Sequence, residues 1–294
     1  MTTALPAEAA VLRYDLDQWF GSGPGWGDGP VVLPEGWWLG DVSGVTSSPD
    51  GEVYVFQRGR AADPILVYDR HGRYLRSWGR DLIRVAHGLR RDTGGDLWAT
   101  DTDRHQIYRF TREGSLVSAF GRRDEPGDGE DTFNMPTDLA FGPNGITYVS
   151  DGYGNSRVVM LDADGRFVGS WGRHGSAEGE FDTPHSIAVA PDGLVYVCDR
   201  GNARLQVFDP NGGFRTAWTP AVGSPQAITI TPDGECWVLC AIDSIAGRVV
   251  RLDLASMRVV TSFEGPGHMI ERTAWGDILV ASLTGNIIRW SPAT

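Results

Sequence analysis

Three histidines, His87, His185 and His268, stand at one slot of a repeated unit, and in alternate copies only. The copies open Val42-Ser43-Gly44-Val45, Ala86-His87-Gly88-Leu89, Pro136-Thr137-Asp138-Leu139, Pro184-His185-Ser186-Ile187, Pro225-Gln226-Ala227-Ile228 and Gly267-His268-Met269-Ile270. The second position therefore runs Ser43, His87, Thr137, His185, Gln226, His268. In a closed ring of six units, alternate copies lie about 120° apart. Three imidazoles at one height and that spacing form a three-ligand metal site with one position left open. Zinc suits three neutral imidazoles best, with copper, nickel and iron as other occupants. The open position implies Lewis-acid or metal-hydroxide chemistry. One histidine in such a slot would read as a polar residue bonded to backbone; three in register favour a metal. His71, His105 and His174 fall in turns and polar loops and read as solvated.

The elements that must hold these side chains are short strands. Each copy continues through an apolar strand into a turn such as Pro49-Asp50-Gly51, Pro143-Asn144-Gly145 or Pro191-Asp192-Gly193. A second strand (Val53-Tyr54-Val55-Phe56, Leu194-Val195-Tyr196-Val197), a polar loop and a third strand (Ile65-Leu66-Val67-Tyr68, Leu205-Gln206-Val207-Phe208) follow. The fourth ends in Ser77-Trp78-Gly79, Ala119-Phe120-Gly121, Ser170-Trp171-Gly172 or Ala217-Trp218-Thr219. Four strands repeating at roughly 40 to 50 residues indicate the blades of a β-propeller. The sixth copy stops after its third strand, Asn286-Ile287-Ile288-Arg289-Trp290, and Val11 to Leu16 read as a strand without a blade. Pairing the two closes the ring and removes its exposed edges. The expectation is an all-β, six-bladed propeller occupying residues 1–294 as a single domain, its last blade completed by N-terminal residues.

Composition narrows the partners. A net charge of −12, with no basic run, argues against nucleic acid and anionic membrane. The chain has no lysine, which excludes Schiff-base chemistry. Met1 to Ala10 lack the pattern of a secretory signal. No apolar run is long enough to span a bilayer. Cys236 and Cys240, four apart on one strand, lie about 13 Å from each other at a strand's rise, too far for a disulfide; Cys198 has no evident partner. These features point to a cytoplasmic monomer acting on a small-molecule or peptide-like substrate.

Other residues break the blade pattern. Tyr153 lies in Asp151-Gly152-Tyr153-Gly154-Asn155-Ser156-Arg157, and Arg58 in Phe56-Gln57-Arg58-Gly59-Arg60. A guanidinium beside a phenol favours the phenolate and makes tyrosine usable as a base. From residue type alone, a packed loop aromatic and a surface ion pair are the better explanations of Tyr153 and Arg58. Asp101, Asp151, Asp199, Asn155, Asn202, Arg157 and Arg204 recur at equivalent places and read as turn-stabilising. Arg200 differs, its counterpart by sequence being Gly152.

The blades look like NHL repeats, and the chain resembles the peptidylglycine alpha-amidating lyases (peptidylamidoglycolate lyases), notably stand-alone bacterial members. The resemblance is tightest in Phe133-Asn134-Met135-Pro136-Thr137-Asp138, Tyr148-Val149-Ser150-Asp151-Gly152-Tyr153-Gly154-Asn155-Ser156-Arg157 and Phe181-Asp182-Thr183-Pro184-His185-Ser186-Ile187. It implies a zinc held by His87, His185 and His268, with Tyr153 as catalytic base assisted by Arg58, and Arg200 as a second active-site arginine. The implied reaction cleaves the C–N bond of an N-acyl-α-hydroxyglycine-type carbinolamide to an amide and glyoxylate. Animal members carry a channel calcium bound partly by an aspartate directly after the third histidine; Met269 stands there, which argues against calcium. Gly154 replaces a disulfide cysteine of the family, in keeping with a reducing compartment. No copper monooxygenase unit accompanies the propeller in this sequence, so the acyl group of the substrate stays open. Two other readings stand beside the lyase. One is a zinc hydrolase of a lactone, ester or amide; the other is a non-catalytic NHL binding platform.

Overall fold

A computed structural model describes the backbone of residues 14–21 and the full residues 33–243 and 246–292. Val11 to Arg13 and the segment Met1 to Ala10, considered above, lie outside the described residues. Alternating apolar residues and glycine turns produce six four-stranded antiparallel sheets, the blades of a propeller, and no helix among the described residues. The tight turns between first and second strands need glycine: Gly51 has φ +102° and Gly193 has φ +86°, conformations in which a Cβ is strained. The six-bladed expectation is borne out.

Blades 1 to 5 each use four consecutive strands, with first strands Val42–Ser47, Ala86–Arg91, Asp138–Phe141, Pro184–Val189 and Ser224–Ile230. Blade 6 combines Met269–Arg272, Ile278–Ser282 and Asn286–Pro292 with the strand Tyr14–Gly21. That strand pairs antiparallel with Asn286–Pro292, from Tyr14 opposite Pro292 to Gly21 opposite Asn286. The ring is thus closed by the N-terminal strand.

Apolar clusters fill the wedges between neighbouring blades, which is what holds a ring of small sheets together. Tyr54, Phe56 and Ile65 of blade 1 meet Leu89, Tyr108 and Phe110 of blade 2. Val42 and Val45 of blade 1 share a cluster with Ile270, Leu279 and Val280 of blade 6 and Trp237 of blade 5. The three cysteines are buried and free, as expected. Burial pushes the Cys240 thiol up to about 12 and raises those of Cys198 and Cys236 as well.

The first strands line the axis, and four of them share one irregularity. Register slips occur between Val42 and Gly44, Ala86 and Leu89, Pro184 and Ser186, and Pro225 and Ala227. In each case the repeat's second residue falls within the slip. A β-bulge turns one side chain out of the pleat; in blades 2 and 4 that side chain is His87 or His185, whereas His268 directly precedes the strand Met269–Arg272, which pairs without a slip.

A candidate metal centre at the axis

His87, His185 and His268 converge on the axis, with ring centroids 4.6 to 4.9 Å apart. One ring nitrogen from each lies within 4.8 Å of the others. All three are buried, His87 and His185 completely. Each Nδ1 contacts a main-chain carbonyl: His87 that of Thr137 at 2.6 Å, His185 that of Gln226 at 2.8 Å, His268 that of Ser43 at 2.7 Å. A carbonyl only accepts, so every Nδ1 carries the proton and every Nε2 presents a lone pair. The acceptors are the slot residues of the three blades that lack histidine, each from the following blade.

Tyr153 completes the cluster. Its hydroxyl lies 2.9 Å from Nε2 of His87 and 2.9 Å from Nε2 of His185. One hydroxyl donates one proton, so three convergent lone pairs have a single donor among them. Such a buried set of acceptors is costly by itself and suits a cation. The three histidines could hold a metal ion.

The surrounding field keeps the imidazoles neutral. Burial is the main cause, and it lowers the pKa of His268 to about 3. His87 and His185 are likewise held well below the usual value, by burial first and then by neighbouring histidines; Arg58 and Arg200 add to the effect on His185. With folded pKa values below those of the unfolded chain, the unfolded state binds more protons in acid. Stability is therefore complete above about 6.5 and falls as pH drops towards the folded values. The metal-free protein should lose up to about 1.4 kcal/mol per pH unit from His268 alone within that window. Urea midpoints measured from neutral pH downward test this; a flat profile would contradict it.

The structure places Arg58, Tyr153 and Arg200 at one equivalent position of blades 1, 3 and 4. Their backbone N–H groups donate to the carbonyls of Asp41, Met135 and Thr183, in each case two residues before the slot. Thr102 of blade 2 does the same with Val85. The sequence comparison of Arg200 with Gly152 is thereby corrected: Gly152 is an inserted residue, and Arg200 corresponds to Tyr153. The insertion has to be glycine, because a Cβ there would lie 1.9 Å from the Pro184 carbonyl oxygen. Gly154 is confined similarly against Asn134. The close approach of Gly152 seats Tyr153 against the strand carrying His185, and that of Gly154 seats it against the segment leading into blade 3.

Both arginines flank the tyrosine. The Arg200 guanidinium lies 5.3 Å from the centre of the Tyr153 ring, a cation–π distance. Arg58 donates from Nε to the Ala86 carbonyl at 2.8 Å, and burial lowers its pKa despite the nearby tyrosine. His71 and His174 are exposed, as expected for turn residues, but His105 is half-buried and its Nδ1 accepts from the Met135 N–H at 3.1 Å. The recurrent loop aspartates are turn anchors: Asp151 and Asp199 accept from the N–H groups of Asn134 and Asp182 and from Asn155 and Asn202. Three charged residues of the channel were missed. Arg90, Asp138 and Glu271 lie below the histidines, and Arg90 and Glu271 occupy the position three residues after the slot. Thr46, Ala140, Ala188 and Thr229 fill the same position elsewhere, so two charges among small residues were the available signal.

Comparison with known proteins gives the chain's relatives. The NHL repeat model matches residues 181–208, in blade 4. The chain is 33% identical over 217 residues to mouse peptidyl-glycine alpha-amidating monooxygenase, covering 60% of this chain and 21% of that protein. It is 31% identical over 152 residues to a probable peptidyl-alpha-hydroxyglycine alpha-amidating lyase of Caenorhabditis elegans, covering 44% and 43%. The chain is an NHL-repeat propeller related to the amidating lyases. It spans well under two thirds of either relative's length. Mouse NHL repeat-containing protein 3 is also similar, at 32% identity over 67% of this chain and 60% of its own. Among solved structures, a streptogramin B lyase covers 98% of this chain with a TM-score of 0.67 and 16% identity. That likeness, like one to a putative gluconolactonase at TM-score 0.67 and 14% identity, shows the shared fold. The amidating-lyase relatives support a lyase-type function in general.

Proposed function

We propose that this chain is a zinc-dependent lyase that cleaves the C–N bond of an N-acyl-α-hydroxyglycine-type carbinolamide to a primary amide and glyoxylate. The observation that supports it most is the cluster itself: three neutral, tautomer-fixed imidazoles converge at the axis, two of them sharing the hydroxyl of a tyrosine that is flanked by two arginines. His87, His185 and His268 would hold the zinc through Nε2. When bound, the ion supplies Lewis-acid polarisation of a substrate oxygen.

The remaining work falls to side chains. Tyr153 takes the proton of the carbinol hydroxyl as the new C=O forms. The C–N electrons pass to nitrogen, and that proton returns to it, giving the amide. Arg58 favours the phenolate form of Tyr153 electrostatically. Arg200 pairs with the substrate carboxylate through its planar fork. Free, buried cysteines accord with a cytoplasmic setting, and no helix among the described residues is long and apolar enough to cross a membrane. In this reading the chain is a single propeller domain that acts as a monomer on a small or peptide-like substrate.

The test is glyoxylate release from N-acyl-α-hydroxyglycines by zinc-loaded protein in 18O-labelled water. Equal amounts of amide and glyoxylate, with no label in the amide, are expected. Label in the carboxyl group of a released acyl acid would identify a hydrolase instead, whereas the aldehyde oxygen of glyoxylate exchanges with water through its hydrate in either case. Absence of turnover across acyl groups, despite bound zinc, would leave the binding platform.

A further inference from the structure

The resemblance to amidating lyases brings with it a calcium in the central channel, but the residues at that place do not fit one. Met269, directly after His268, is buried and offers no carboxylate. Glu271, the other channel carboxylate, is held by the Ser47 N–H at 3.3 Å and the Ser47 hydroxyl at 3.1 Å, and a set of further oxygens below the histidines is already engaged by one side chain. Arg90, on the first strand of blade 2, reaches across the axis. Its Nε donates to Asp138 Oδ1 at 2.9 Å and its Nη2 to Asp138 Oδ2 at 2.6 Å, a bidentate pair with blade 3. Nη2 also lies 3.3 Å from Ser186 Oγ in blade 4 and 3.1 Å from the Ile228 carbonyl in blade 5. Nη1 is 3.5 Å from the Ile270 carbonyl in blade 6.

A carboxylate, a hydroxyl and two carbonyls are hard oxygens of the kind that, with water, complete the shell of a calcium ion. Here one guanidinium gathers all of them, from four blades at once. The pair is well sealed: the Arg90 side chain is 12% exposed and that of Asp138 is 0% exposed. Asp138 Oδ2 also accepts from Ser186 Oγ at 2.7 Å, which completes its bonding. Burial disfavours the charge on Arg90, yet the Asp138 carboxylate more than offsets it and keeps the arginine's pKa above its ordinary value.

We propose that Arg90 is the channel's built-in cation, filling the place of a bound divalent ion and cross-tying blades 2 to 6 beneath the metal centre. Deleting the guanidinium exposes a buried carboxylate and two carbonyls and so opens a latent cation site. The proposal is independent of the reaction catalysed.

Thermal unfolding and calcium calorimetry on the full zinc-loaded chain test it. The wild type should show neither calcium binding heat nor a shift in Tm at millimolar calcium. Arg90→Ala should unfold roughly 5–15 °C lower, because removing one partner strands a buried charge. Millimolar calcium or free guanidinium should recover part of that loss. If Arg90→Ala fails to fold, the double variant Arg90→Met with Asp138→Leu, which removes the ion pair, should fold; the remaining channel carboxyl, Glu271, is pushed up to about 7 by burial and loses with Arg90 the charge that lowers it. Calcium that stabilises the wild type would overturn the proposal. So would an Arg90→Ala protein that loses no stability, or a loss that neither cation reverses and the double variant does not relieve.

Discussion

Replacing His185 by alanine is expected to reduce bound zinc from about one per chain to a small fraction, with glyoxylate release falling in parallel. The variant leaves two imidazoles, and a two-ligand site does not compete for zinc in the way three convergent nitrogens do. It also frees the Gln226 carbonyl, a cost of about 1–3 kcal/mol, which the apolar packing shared between neighbouring blades tolerates. The β-sheet signal in circular dichroism should therefore survive. Tm gives a second readout. Zinc at a thousandfold excess over Kd stabilises the wild type by about 4 kcal/mol, worth roughly 8–15 °C in a domain of this size, and the variant should show no such shift. Elemental analysis decides the matter. A wild type that stays free of metal after zinc is supplied would remove the lyase and the hydrolase together.

Tyr153→Phe should keep its zinc and lose its turnover. The phenylalanine ring retains the place under Arg200, 5.3 Å from the guanidinium carbon, so the loop seated by Gly152 and Gly154 stays put. What disappears is the hydroxyl that stands 2.9 Å from two ligand nitrogens. Loss of a positioned acid–base group lowers kcat by about 10²–10⁴, or about 3–5 kcal/mol of barrier, while KM changes little. Unchanged kcat would take Tyr153 out of the mechanism. Loss of zinc in the variant would make the tyrosine a ligand and not a base.

The fold was legible because its signals are local. Turns such as Pro191-Asp192-Gly193 and strands such as Val195–Asp199 recur closely enough to align by eye, and the alignment exposes the histidine slot. The flanking residues were less legible, for a definable reason. Gly152 is an insertion, and it hides the equivalence of Tyr153 with Arg200 and Arg58. That equivalence is written in backbone bonds to Met135, Thr183 and Asp41. The Nδ1 partners were invisible because they are carbonyls, which every residue has, so Ser43, Thr137 and Gln226 carry no side-chain signature for the task. Arg90 illustrates the non-local limit. A charge in a strand can be seen in the sequence, but the four blades that receive it cannot.

The pairing of Tyr14–Gly21 with Asn286–Pro292 sets an order of events during biosynthesis. Blades 1 to 5 each finish within their own stretch of chain and can form as they are made. The seam cannot: its first half waits for its second until the five blades between them have been made, on the order of tens of seconds at roughly 5–20 residues per second. Throughout that interval an unpaired strand is available to neighbouring chains. Crowded polysomes, and not the finished ring, are therefore where this protein is most exposed to misassembly.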